Sequence, residues 1–132
     1  AAQAPTPANA NIVVENLDIR HAKKDYKFTN YAGVYTNWPQ FCATIYTEMA
    51  QNLTVRNCEL HDSGIGFFAN SKYGNAALSS NVVLDACWIH DNGNVGSYSE
   101  HNIYTETAAT TIQNYQVHQP ANEHHQLAGQ WD

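Results

Sequence analysis

The stretch NLTVRNCELHDSGIGFF (Asn52 to Phe68) decides the fold, because its first part returns along the chain in altered wording. NIVVENLDIRHA (Asn11 to Ala22) precedes it, NVVLDACWIHDN (Asn81 to Asn92) follows it, and ATTIQNYQVHQP (Ala109 to Pro120) is a weaker copy. The copies start 41, 29 and 28 residues apart. A unit that recurs at such a period marks a chain that coils and stacks on itself, since one unit alone cannot bury its apolar face.

Within each copy, apolar residues alternate with polar ones, the pattern of a half-buried strand. Alignment puts Ile12, Leu53 and Val82 in one inward column and Val14, Val55, Leu84 and Ile112 in the next. Leu17, Cys58, Cys87 and Tyr115 make a third column, and Ile19, Leu60, Ile89 and Val117 a fourth. Between the second and third columns a three-residue step replaces a two-residue one, so the chain must bend there. Asn16, Asn57 and Asn114 occupy the bend, with Ala86 in the remaining copy. Asn tolerates left-handed backbone and its amide can bond to the copies above and below, so this column reads as a structural corner.

A second strand pattern precedes the next copy. ATIYTEMA (Ala43 to Ala50) and NIYTETA (Asn102 to Ala108) match closely, and GVYTNW (Gly33 to Trp38) and GIGFFANS (Gly64 to Ser71) match more loosely. Each coil therefore holds at least two strands, and the length differences fall in Lys23 to Asn30, Lys72 to Ser80 and Asn92 to Glu100. Insertions confined to turns are what a solenoid allows. The expected architecture is all-β, a parallel β-helix of about three to four coils over residues 11–118, with an extended leader at 1–10 and an irregular tail at 119–132.

With these columns around them, NLTVRNCELHDSGIGFF and SEHNIYTE resemble the right-handed parallel β-helix repeats of bacterial polysaccharide lyases, polygalacturonase-like hydrolases and mannuronan-epimerase-like proteins. The resemblance covers roughly Asn11 to His118 and implies a right-handed winding and an extracellular polysaccharide as partner, bound or processed. Two departures bear on activity. No Lys or Arg follows Lys72, so the catalytic Lys and Arg of such lyases have no counterpart here, and the paired-aspartate motifs of the hydrolases are missing.

Charge narrows the partners. Six Lys plus Arg stand against twelve Asp plus Glu, a formal net charge of −6, so there is no broad positive field for a phosphate backbone and nucleic acid is excluded. Long polyuronates also call for cationic clamps that this chain lacks. No run approaches the roughly 18 apolar residues of a membrane span. The opening AAQAPTPANA has the small-residue and Pro character found after signal-peptide cleavage, so a secreted or cell-surface location is expected. Cys58 and Cys87 hold the same place in two copies, which puts them about 4.8 Å apart with parallel side-chain vectors. That favours buried thiols over a disulfide.

Two constellations on the outward positions suggest chemistry. His61 and His90 fall in one column with Arg20 and His118, each followed by Asp62 and Asp91, and imidazole beside carboxylate suits a general acid or base. Tyr46 and Glu48 match Tyr104 and Glu106 one coil apart, which spaces the two Glu about 9 to 10 Å apart, near the upper limit for an inverting carboxylate pair. The expected catalytic residues are thus His61, His90, Asp62, Asp91, Glu48 and Glu106. Trp88, Tyr46, Tyr104 and His118 are the expected ligand contacts, because a flat ring can stack on a pyranose. No third metal ligand at a recognisable spacing accompanies the two His, so no metal is expected, and the residues name no cofactor.

A stack of a few coils has two open ends, and uncovered edges recruit further strands. The alternative to a carbohydrate module is therefore a structural subunit whose copies stack end to end into an extracellular filament.

Overall fold

The computed structural model describes residues 10–71, 79–117 and 127–130, and among them there are fourteen strands and no helix. The chain begins with β1 (Ala10–Glu15) and β2 (Asp18–Arg20), makes a hairpin of β3 (Lys27–Thr29) and β4 (Tyr35–Asn37), and continues into β5 (Ala43–Glu48). It then runs through β6 (Gln51–Arg56), β7 (Glu59–His61) and β8 (Ile65–Asn70), and through β9 (Ser80–Asp85), β10 (Trp88–His90) and β11 (Ile103–Glu106). Last come β12 (Thr110–Gln113), β13 (Gln116–Val117) and β14 (Leu127–Gln130).

Three four-stranded sheets result, ordered β1-β6-β9-β12, β2-β7-β10-β13 and β5-β8-β11-β14, and every pairing in them is parallel. The chain visits the first, second and third sheet in turn and then returns to the first. The columns expected from the repeat are the observed register: Ile12 pairs with Leu53 and Leu53 with Val82, while Val14, Val55, Leu84 and Ile112 run in line. Ile19, Leu60, Ile89 and Val117 do the same in the second sheet.

The core lies where the columns of all three sheets meet. Val55, Leu60, Phe67, Val82, Leu84 and Ile89 are fully buried, each contributing about 1.5–3 kcal/mol of transfer free energy. Burial falls off toward the outermost strands of the sheets, so Leu17 and Tyr115, placed by sequence in an inward column, are 49% and 50% exposed. Cys58 and Cys87 between them are buried free thiols, each Sγ lying against backbone carbonyls rather than its neighbour. Burial pushes the Cys87 thiol up from its ordinary pKa, which keeps it protonated and inert.

Side-chain ladders hold the corners. Asn16, Asn57, Ala86 and Asn114 have φ of 61°, 52°, 54° and 50°, the left-handed backbone the Asn column suggested. Asn57 Nδ2 donates to Asn16 Oδ1 at 2.7 Å, whereas Asn114 Nδ2 donates to Asp85 Oδ1 at 3.0 Å because Ala86 has no amide to offer. The second corner uses His21, Asp62 and Asp91, also at positive φ. There the N–H of Ala22 donates to Ser63 Oγ, and that of Ser63 to Asn92 Oδ1, both at 3.1 Å. At the start of the third sheet, a Cβ on Gly66 would sit 2.3 Å from the Asn102 carbonyl oxygen, so only glycine lets the adjacent strand close.

Two segments differ from the sequence reading. GVYTNW, read as a loose copy of the third-sheet strand, instead supplies β4, which pairs antiparallel with β3 outside the stack. The long first-coil insertion folds on itself because Asn30 Oδ1 accepts the N–H of Ala32 and of Val34, and Phe28 stacks on Trp38 at 3.8 Å. Leu127–Gln130, assigned to the irregular tail, is the fourth strand of the third sheet, pairing Ile103 with Leu127 and Glu106 with Gln130. It carries none of the repeat's wording. The leader at residues 1–9 lies outside the described residues.

An L-residue in left-handed backbone costs about 1–2 kcal/mol unless a side-chain amide compensates, and Ala86 is exposed with room around it. The expected outcome of Ala86→Asn is a gain of about 1 kcal/mol in urea unfolding. A lower midpoint than the parent would show that the corner ladder does not set this position.

Candidate functional site

On the outer face of the second sheet, Asp18, Glu59 and Trp88 share one register position, and Arg20, His61 and His90 share the position two residues on. Residues two apart on a strand point the same way, so each His faces the carboxylate of the coil before it. His61 Nε2 lies 2.8 Å from Asp18 Oδ1, and its Nδ1 lies 2.6 Å from Asp62 Oδ2. The arrangement recurs one coil later, with His90 Nε2 2.8 Å from Glu59 Oε1 and its Nδ1 2.7 Å from Asp91 Oδ2. The two imidazoles stack at 4.8 Å with 9° between planes, and Trp88 lies over His90 at 4.1 Å.

The expected His-Asp pairs are therefore real contacts, but the rings are not open to solvent. His61 is 7% and His90 8% exposed, covered by the neighbouring carboxylates, while Trp88 remains 42% exposed. A general base needs a nitrogen lone pair aimed at the substrate. Here both nitrogens of each ring are aimed at carboxylate oxygens, which accept and do not donate. Burial alone would lower the His61 pKa, but hydrogen bonds to Asp62 and Asp18 and the charge of Glu59 outweigh it and hold it above the ordinary value. Arg20, 3.9 Å from Asp18 and in register with His61, is the opposing cation on this face.

Asp18 and Glu59 were not singled out from the sequence. Their signal is positional: in DIR and ELH an acid stands two residues before the column that holds the next coil's His. They also supply what the repeat did not show, because ligand-capable atoms of Glu59, His61 and His90 lie within 4.8 Å of one another. His118 lies outside the described residues.

On the outer face of the third sheet, Tyr46, Phe68 and Tyr104 are in register across β5, β8 and β11. Their rings meet edge to face at 5.2 Å and tilted at 4.9 Å. Two residues on, Glu48 pairs with Asn70 on β8, and Glu106 lies beyond on β11. Tyr46 Oη donates to Glu48 Oε1 at 2.5 Å and accepts from Asn70 Nδ2 at 3.1 Å. Tyr104 Oη donates to Glu106 Oε1 at 3.1 Å. Burial, then the hydrogen bond to Glu106, push the Tyr104 phenol above its usual pKa. The structure thus brings Tyr46, Glu48, Tyr104 and Glu106 onto one face, two strand steps apart.

Loops wall this row. Phe41, Tyr98 and His101 border a hollow whose floor includes Phe68 and Tyr104, and Trp38, Pro39 and Tyr46 line another beside Phe41. Glu100, fully buried, ties the walls together: one carboxylate oxygen accepts the Phe41 N–H at 3.2 Å and the other accepts the Asn94 N–H at 2.9 Å. Asn94 Nδ2 donates to the same carboxylate at 2.7 Å. A buried carboxylate needs such donors to offset its lost hydration, so the loop before β11 and the end of the insertion are fixed as a pair. Nothing in the local wording around Glu100 reveals this.

His61 gives a pH dependence with a definite sign. Its folded pKa is raised, so its contribution to stability is complete below the ordinary value of 6.5 and disappears as pH rises through the higher folded value. Urea unfolding should therefore show a stability loss as pH rises above 6.5 that His61→Gln removes, and NMR titration of the His61 ring should report a pKa above 6.5. A value below that figure would contradict the carboxylate clamp. Among the described residues no helix is long and apolar enough to cross a membrane. Set against family models, curated proteins and solved structures, the chain has no match.

Proposed function

We propose that the chain is a right-handed parallel β-helix module that binds an extracellular polysaccharide along the outer face of the third sheet. The observation that supports it is the in-register pair of rows, Tyr46, Phe68 and Tyr104 beside Glu48, Asn70 and Glu106. A pyranose offers an apolar C–H face and a rim of hydroxyls. Aromatic rings take the first, and carboxylate and amide groups take the second. The walls at Phe41 and Tyr98 give the row the shape of a groove rather than a flat sheet. With a net charge of −6 and carboxylates in the groove, a neutral or amino-bearing glycan fits and a polyuronate does not.

Processing is the narrower form of this reading. Glu48 and Glu106 stand two strand spacings apart, about 9.6 Å, at the far edge of the inverting range, so binding is favoured over cleavage. The alternative, a subunit that stacks end to end into a filament, draws on one observation. Ile12 and Leu17 on or beside the edge strands β1 and β2 are 39% and 49% exposed.

A glycan array followed by affinity measurement on the best neutral or amino-sugar ligand tests the proposal. Tyr46→Ala and Tyr104→Ala should each weaken binding about fivefold, since a stacked ring contributes about 1 kcal/mol. Absence of any glycan binding, or binding indifferent to both variants, would refute it. Sedimentation that grows with concentration and is abolished by Leu17→Asp would replace it with the filament.

A further inference from the structure

We propose that the outer face of the second sheet holds a divalent metal ion of the zinc class, ligated by His61 Nε2, His90 Nε2 and Glu59, with Asp18 as the fourth ligand. This site lies on a different sheet from the proposed glycan groove and does not depend on it.

Three of the donor atoms, from Glu59, His61 and His90, already lie within 4.8 Å of one another. Glu59 Oε1 lies 2.8 Å from His90 Nε2 and 3.9 Å from His61 Nε2, and Asp18 Oδ1 lies 2.8 Å from His61 Nε2. Asp62 and Asp91 accept from the two Nδ1 atoms at 2.6 and 2.7 Å, which turns the two Nε2 atoms toward the neighbouring carboxylates of Asp18 and Glu59. A ligating His characteristically donates its other nitrogen to a carboxylate in this way, which fixes the ring and raises its basicity. Trp88 against His90, and the stacking of the two imidazoles, restrict the rings further.

Two imidazoles with two carboxylates form a nitrogen and oxygen set suited to zinc and its transition-metal neighbours, whereas calcium and magnesium take oxygen throughout. Bonds of about 2.0–2.1 Å bring two tetrahedral nitrogens to about 3.3 Å of one another. The rings, now 4.8 Å apart, must therefore tilt together about their Cβ–Cγ bonds. The ion takes the place of the protons that bridge Nε2 to Glu59 and Asp18, and those protons pass to solvent. Four carboxylates around the pair (Asp18, Glu59, Asp62 and Asp91) then face a dication, with Arg20 the nearby fixed positive charge.

The test is calorimetric titration of the full, metal-stripped chain with Zn2+ alone, supported by the absorption spectrum of the Co2+ form. One ion per chain is expected, with tetrahedral cobalt bands. Glu59→Gln is nearly isosteric and its side chain is partly exposed, so it keeps the fold while lowering affinity at least tenfold. Asp62→Asn, which suits the same positive-φ turn but removes the charge of the orienting partner, should cost about 10- to 100-fold. His61→Ala and His90→Ala should abolish binding, with circular dichroism as the check on folding and Glu59→Gln decisive where they unfold. The proposal is overturned if no stoichiometric binding occurs. It is equally overturned if binding survives Glu59→Gln at full strength.

Discussion

In-register parallel pairing between successive copies of the repeat is the constraint on which the rest of this molecule depends. A one-residue slip in a strand would turn every side chain to the opposite face. The apolar columns from Val14 to Ile112 and from Ile19 to Val117 make such a slip prohibitive, because it would expose the whole core. With the inner face pinned, the outer face inherits the same register. His61 meets His90 and Tyr46 meets Phe68 because Leu60 meets Ile89 and Ile45 meets Phe67.

The corners translate that register into polar contacts. Left-handed residues at Asn16, Asn57 and Ala86, and again at His21, Asp62 and Asp91, turn the chain at equivalent places in each coil. The side chains at these turns then satisfy backbone or amide groups of the neighbouring coil. Asp62 and Asp91 serve twice, as turn residues and as the acceptors that orient the imidazoles. A residue so placed couples the path of the backbone to the electrostatics of the outer face. The buried Glu100 does the equivalent work for the groove, since it joins two loops that are distant in sequence and have no repeat to align them.

Much of the second-sheet cluster was legible in advance. The His-Asp dipeptides at 61–62 and 90–91 recur at the repeat period, and strand geometry makes recurrence into adjacency. Asp18 and Glu59 were less visible, because their contacts with His61 and His90 run diagonally between coils and no single copy shows them. The burial of the imidazoles was not visible at all. It comes from carboxylates and Trp88 folding over the rings, whereas alternation reports only which side of the sheet a residue leaves from.

By itself the sequence determined the strand pairing and the columns, since period and alternation are properties of the chain and parallel stacking converts them directly into neighbours. It also determined the Asn corner, where left-handed backbone selects the residue type. Only the tertiary structure decided that GVYTNW folds back as a hairpin, that Leu127–Gln130 joins the third sheet, and that Glu59 reaches both imidazoles. Those outcomes rest on side-chain reach and loop packing between segments with no shared wording, and such contacts have energies that no local pattern encodes.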